Sequence, residues 1–228
     1  MLIKKFGLVS SYMGWSKIHL MFTLVCTITF CINAKYSFAQ TPQKEYTNLE
    51  EALKDPDKVF RLNLENQPNT DVLKQISKFK NLEYLNLRHT GINELPENIN
   101  TLKNLKVLDL GDNNLSVLPK SFSDLKNLTE LYLDHEKNLK LSKDFEILSR
   151  LQSLRILHLE NNNITKLPKN LNKLDQIEQL YLNDNQLKEV PFEIKGLKNL
   201  KFVDIHHNPI IVPVDVIKKT YGGIKFNF

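Results

Sequence analysis

Apolar residues recur along this chain every 23 positions. Leu82, Leu85, Leu87, Ile92, Leu95, Pro96, Ile99 and Leu102 superpose on Leu105, Leu108, Leu110, Leu115, Leu118, Pro119, Phe122 and Leu125. A fixed period in this range marks a solenoid of stacked units. Taking the first apolar residue of each unit as its start, starts fall at Val59, Leu82, Leu105, Leu128, Leu154, Ile177 and Leu200. That gives seven units, with a three-residue insertion in the fourth.

Each unit changes its period inside itself. The L-x-L segment alternates, so it predicts a short strand with its leucines on one face. Position eight after each start carries Asn113, Asn162, Asn185 and Asn208, with Gln67 and Thr90 in the earlier units. A buried amide there can bond the turn backbone of its own unit and the next, as buried backbone groups require. Proline after leucine then fixes φ where the chain turns back. The I-x-x-L spacing that follows suits one helical turn. One unit cannot bury enough apolar surface to offset the ordering of its backbone, so the units need neighbours and caps.

Leu154, Leu157, Leu159, Asn162, Ile164, Leu167 and Pro168 spell LxxLxLxxN followed by LxxLP. This pattern resembles the leucine-rich repeat family. The 23-residue length with its LP pair is similar to the Ras-suppressor and plant Ras-group class, which bacterial proteins also carry. The resemblance implies an α/β leucine-rich repeat solenoid: a horseshoe with a parallel concave β-sheet and short helical turns on the convex side. It also implies binding of other macromolecules on a curved surface.

The ends depart from the period. Residues 1–39 read as a signal peptide. Lys4, Lys5 and Lys17 precede the apolar run Leu20–Ile32, and Ser37-Phe38-Ala39 offers a cleavage site before Gln40. Thirteen helical residues span about 20 Å, short of a ~30 Å hydrocarbon core, although an uncleaved anchor is the competing reading. Cys31 follows bulky Phe30, which disfavours a lipoprotein signal. The leader, ending in FAQ, is similar to those of exported Bacteroidetes-type proteins. Residues 40–58 are expected to be a loose linker and a helical N-terminal cap, with Thr47-Asn48-Leu49-Glu50 as capping box and Pro56 as stop. The repeats occupy 59–215, and 216–228 reads as a C-terminal cap ending in an edge strand, Ile224–Phe228. In the fourth unit Asp134–Asn138 is expected to replace the normal turn, and Phe145, Leu148 and Leu151 predict a helix over 143–151.

Charge adds one exclusion. The formal +5 falls to +1 once residues 1–39, with four lysines and no acid, are set aside. Nucleic acid is therefore not the expected partner. Both cysteines, Cys26 and Cys31, lie in the leader, so the remainder holds no disulfide or thiolate metal site. No glycine-rich phosphate loop, HExxH, CxxC or GxSxG occurs, and neither an enzyme nor a cofactor is expected.

Candidate function comes from the positions facing the concave side. One row is Asn63, Asn86, Asp109, Tyr132, His158, Tyr181 and Asp204, and the row before it is Arg61, Tyr84, Val107, Glu130, Ile156, Gln179 and Phe202. Two further rows follow, from Glu65 to His206 and from Asn66 to His207. These 28 positions hold no lysine, eight acids, two arginines and five histidines. With neutral histidines the face carries about −6, expected to fall towards −1 as pH drops through about 6.5. The expected binding residues are Tyr84, Asp109, Glu130, Tyr132, His158, Glu160, Tyr181, Phe202, Asp204 and His206. Exposed aromatics on a rigid sheet anchor recognition, although strands favour Tyr and Phe on structural grounds alone. A metal centre from His158, His206 and Asp204 is disfavoured, because His158 and Asp204 sit two strands, nearly 10 Å, apart.

The expectation is therefore a non-catalytic protein-binding module, exported to periplasm, cell surface or medium. It is monomeric, without a membrane span after signal cleavage, and takes a cationic or amphipathic peptide or protein. The alternative is a structural cell-envelope protein whose lysine-rich convex side meets anionic polymers.

Overall fold

The computed structural model describes residues 43–68, 71–211 and 213–228. The leader expected over 1–39 lies outside the described residues. From residue 43 on, nine strands form one sheet, all parallel and in chain order. They are β1 (Glu45–Tyr46), β2 (Arg61–Asn63), β3 (Tyr84–Asn86), β4 (Val107–Asp109), β5 (Glu130–Tyr132), β6 (Ile156–His158), β7 (Gln179–Tyr181), β8 (Phe202–Asp204) and β9 (Lys225–Asn227). Strands β2 to β8 fall one in each repeating unit. In every one the central residue, from Leu62 to Val203, is fully buried. Its two neighbours in the strand therefore turn to the opposite face.

The core is a stack of leucine layers. Leu105, Leu108, Leu110, Leu115 and Leu125 have no exposed surface, and the same holds for their counterparts one unit back, save about 1 % at Ile92. Pro96, Pro119, Pro168 and Pro191 each precede a five-residue 3₁₀ turn: Glu97–Thr101, Lys120–Asp124, Lys169–Lys173 and Phe192–Gly196. The ring fixes φ between −59° and −73° at these entries, as its geometry dictates. Each turn drops one large side chain, Ile99, Phe122, Leu171 or Ile194, into the core.

Asparagines, buried at Asn162 and Asn185 and half-buried at Asn113 and Asn208, tie unit to unit. Asn185 Oδ1 accepts from the backbone of Asn162 and Ile164, both at 2.9 Å, while its Nδ2 donates to Leu159 O at 2.9 Å and Leu182 O at 3.0 Å. Asn113, Asn162 and Asn208 make the equivalent bonds. Asn162→Ala is expected to leave the Leu133 carbonyl and the Glu136 amide without these partners, at a cost of about 1–3 kcal/mol. Urea unfolding measures it, and an unchanged midpoint would contradict the ladder. A second amide ladder, not anticipated from the period, runs outside the first. Asn81, Asn104, Asn127 and Asn199 each donate to the backbone carbonyl 24 residues earlier, at 2.8–3.0 Å. The recurrent Asn-Leu at the head of these units is its sequence signal.

Three expectations need correction. The segment before the first repeat is not loose throughout, because Glu45–Tyr46 pairs with Arg61–Leu62 and extends the sheet. The N-cap of the first helix, Leu49–Ala52, is Asn48, whose side chain accepts from Glu51 N; the cap therefore sits one residue later than the Thr47 box implied. In the fourth unit the turn is kept. His135 adopts the same left-handed conformation as its counterparts, and Glu136 takes the ladder position. The extra residues lie beyond it, where the helix runs from Leu141 to Leu148 and buries Phe145 and Leu148. At the far end a helix over Val214–Thr220 buries Ile217, and Tyr221 Oη donates to Val190 O at 3.2 Å. Strand β9 closes the sheet, shorter than Ile224–Phe228 by one residue at each end.

Candidate binding face

Strand register sets the site. Asp109, Tyr132, His158, Tyr181 and Asp204 are successive partners across β4 to β8, and Glu130, Ile156, Gln179 and Phe202 form the adjoining row. Parallel strands separate neighbours by about 4.8 Å, close to the stacking distance of flat rings. The rings use it. Tyr132 and His158 stack with centroids 3.9 Å apart and planes 9° from parallel, and His158 and Tyr181 stack at 4.3 Å and 8°. Phe202 leans on Tyr181 at 5.4 Å.

His158 is thus held between two tyrosines. Its Nδ1 lies 2.9 Å from Glu160 Oε1, and its Nε2 lies 3.5 Å from Glu130 Oε1, an ion-pair distance. Tyr132 Oη donates to the same Glu130 oxygen at 2.5 Å, and Tyr181 Oη donates to Gln179 Oε1 at 3.0 Å. Burial works to lower the imidazole pKa, but the Glu130 and Glu160 carboxylates outweigh it and raise it to about 9. The ring is therefore an imidazolium at neutral pH, with a π-face on each side to stabilise it. This corrects the expectation of neutral histidines: the face starts near −5, and His158 takes no part in a titration around pH 6.5. Burial and the Glu130 contact push the Tyr132 hydroxyl well above its ordinary range.

A second network lies beside the stack. Arg88 grips Asp134 with two bonds, at 2.8 and 2.5 Å, and reaches Asp109 at 3.1 Å. The guanidinium spans from the third strand to the fifth because Gly111 lies beneath it: a Cβ there would land on Arg88 and on Asp134 Oδ1. Gly111→Ala is expected to evict the guanidinium and cost about 1–3 kcal/mol, as loss of a charged, largely buried bond does. In Arg88→Ala the guanidinium is gone and Asp134, no longer gripped by it, can turn its Oδ1 aside, so the double variant should cost little more than Arg88→Ala alone. Urea melts over the cycle measure this, and strict additivity would refute it.

Of the ten expected residues, six gather at the stack: Glu130, Tyr132, His158, Glu160, Tyr181 and Phe202. Asp109 belongs to the Arg88 network. Asp204 and His206 pair with each other at 2.5 Å. Tyr84 stands apart under the Arg61 guanidinium, 3.9 Å above its ring. Most of the acids on this face therefore already have partners within the chain.

The histidines have a backbone reason as well. Asn66, His89, Asp112, His135, Asn161, Asp184 and His207 occupy one position of successive units, and all have φ between 52° and 61°. Asn, Asp and His are the non-glycine residues that enter this region most readily. Three of the five histidines follow from that requirement, which the spacing alone did not reveal.

Two family profiles match the chain: one described as leucine-rich repeat region over residues 58–152, the other as leucine rich repeat over 152–210. No curated protein matches the sequence. Among solved structures, the leucine-rich repeat protein LIC12759 of Leptospira interrogans is similar at 28% identity and TM-score 0.56, over 81% of this chain and 58% of that one. Internalin C2 of Listeria monocytogenes is similar at 26% identity and TM-score 0.56, over 71% of this chain and 67% of that one. A chain of the Drosophila Toll–Spätzle complex matches at 26% identity and TM-score 0.54, over 62% of this chain and 19% of its own length.

Proposed function

The chain belongs to the leucine-rich repeat family, and on that premise we propose that it is a non-catalytic protein-binding module whose partner lies across the strand face. The observation that carries the reading is the Tyr132–His158–Tyr181–Phe202 stack. Four strands supply one side chain each to a ridge of aromatic edges on a sheet whose backbone is fixed by two amide ladders. Aromatic side chains bring large contact area with few rotors to order, which is why they dominate binding hot spots. Glu130, Glu160 and Asp204 surround the ridge, which favours a cationic or amphipathic peptide segment. The Toll–Spätzle complex shows a structurally similar chain in a protein–protein assembly.

Selection of a displayed random-peptide library on the wild-type protein, with counter-selection on Tyr132→Ala/Tyr181→Ala, tests this. Peptides recovered on the first should lose at least about a hundredfold in affinity on the second, as paired hot-spot deletions do. Peptides that bind both equally would remove the strand face from the proposal.

The site of action is proposed to lie outside the cytoplasm. Support comes from the basic and apolar leader with its Ser37-Phe38-Ala39 boundary. Among the described residues, no helix is long and apolar enough to cross a membrane. N-terminal sequencing of the mature protein from its own cells should begin at or near Gln40; a cytosolic product beginning at Met1 would refute export.

A further inference from the structure

We propose that Asp184, His206 and His207 form a binding site for a divalent transition-metal ion of the zinc type, bridging the last two repeating units. The three side chains come from adjoining turns at the edge of the strand face. Asp184 and His207 share the left-handed position of successive units, and His206 precedes His207. One donor atom from each lies within 4.8 Å of the other two. His207 Nδ1 is 2.9 Å from Asp184 Oδ1, and His206 Nε2 is 4.0 Å from Asp184 Oδ2.

The surrounding bonds aim these donors. Asp204 Oδ1 lies 2.5 Å from His206 Nδ1, and Asn227 Nδ2 donates to the other oxygen of Asp204 at 2.9 Å. A carboxylate behind Nδ1 fixes the proton there and leaves Nε2 with its lone pair towards Asp184, the arrangement that supports metal-bound histidines. Asn183 Nδ2 donates to Asp184 Oδ2 at 2.8 Å and holds the third ligand. Two imidazole nitrogens and one carboxylate suit zinc, nickel or copper, whereas calcium and magnesium prefer oxygen alone. Bonds of about 2.0–2.1 Å to zinc place tetrahedral donors roughly 3.3 Å apart. His207 and Asp184 are exposed and can close that distance by rotation. The His207 imidazole that binds is neutral and keeps its one ring proton on Nε2, so that its Nδ1 turns its lone pair to the metal beside Asp184. A fourth position stays open to water or to a side chain of a partner.

The chain carries its own control. His89 Nδ1 and Asp112 Oδ2 make the same 2.9 Å pair between two earlier units. There the residue before the histidine is Arg88, already bound to Asp134, so no second nitrogen converges.

Calorimetric titration of Zn²⁺ into the full chain, in a non-chelating buffer at pH 7.5, tests the site. Wild type should bind one equivalent that His206→Ala and His207→Ala weaken at least tenfold. Asp204→Asn should weaken it about 10-fold, through the orientation of His206, while His89→Ala leaves it unchanged. His19, Cys26 and Cys31 can add background binding, but it would be common to every variant. Metal-free melts check that each variant folds. No stoichiometric binding by wild type, or wild-type affinity in His206→Ala/His207→Ala, would overturn the proposal.

Discussion

The unfolding free energy of the repeats should fall by several kcal/mol as pH rises from about 5 to about 9. Three groups drive the fall. Glu136 occupies the asparagine position of the fourth unit, 1 % exposed, and accepts from Asn113 N at 2.8 Å and Leu115 N at 2.6 Å. Burial outweighs these bonds and raises its pKa from an ordinary 4.5 to about 7. Burial likewise raises Asp144, which accepts from Leu118 N, to about 6. His158 stands at about 9 for the opposite reason, its carboxylate neighbours winning over burial.

The signs agree. In each case the folded chain holds its proton to higher pH than the unfolded chain does, so stability declines as pH rises between the two pKa values. For Glu136 the window runs from about 4.5 to 7, for Asp144 from about 3.8 to 6, and for His158 from about 6.5 to 9. A shift of this size is worth about 3 kcal/mol per group. The lowered pKa of Glu130 is the His158 interaction seen from the other partner and is not counted again. Asp134 acts the other way: burial tends to raise its pKa, but Arg88 and His135 hold it below the ordinary carboxylate range, so its contribution is lost in stronger acid. The optimum should lie near pH 5. Urea melts across pH 4–10 measure the profile. Glu136→Gln should remove about half of the fall below pH 7, and His158→Gln should remove the fall above it. A flat profile for wild type would refute the assignment.

The fold was legible because its cause is periodic. Leucines at fixed intervals, an amide at position eight and a proline after the last leucine each act within one unit or between neighbours. A 23-residue repeat therefore specifies strand, ladder and turn together. Register followed too, since identical units stack in phase. That places Tyr132, His158 and Tyr181 side by side from the sequence alone. The left-handed position is hidden, because Asn, Asp and His there look like ordinary solvent-facing side chains unless the backbone angle is known. Glu136 is hidden by the insertion: with three extra residues in the unit, Asp134–Asn138 resembles an altered turn, although position eight is still filled, by a carboxylate in place of an amide. The charge of the face could be counted but not its pairing. Arg88 reaches across two strands only because Gly111 has no side chain, a through-space fact that no row of one-letter codes displays.

Binding of an arginine-containing peptide to the strand face should strengthen as pH rises from 7.5 to 9.5. His158 at neutral pH is an internal cation lying between Glu130 and Glu160, so an incoming guanidinium competes with it for the same carboxylates. Deprotonation through about pH 9 removes that competitor and makes the ridge more negative by one charge. Arginine stays charged throughout, so the ligand does not titrate. One unit charge at roughly 6 Å, in the intermediate dielectric of a protein surface, is worth about 1–3 kcal/mol, or roughly tenfold or more in affinity. The measurement is isothermal titration of a peptide selected on wild type, at both pH values, with circular dichroism confirming the fold at pH 9.5. In His158→Gln the neutral side chain leaves the carboxylates free at either pH, so the gain should vanish. Weaker wild-type binding at pH 9.5, with the fold intact, would show that the peptide is held by the imidazolium rather than by the acids beside it. Equal gains in wild type and His158→Gln would place the responsible proton elsewhere on the face.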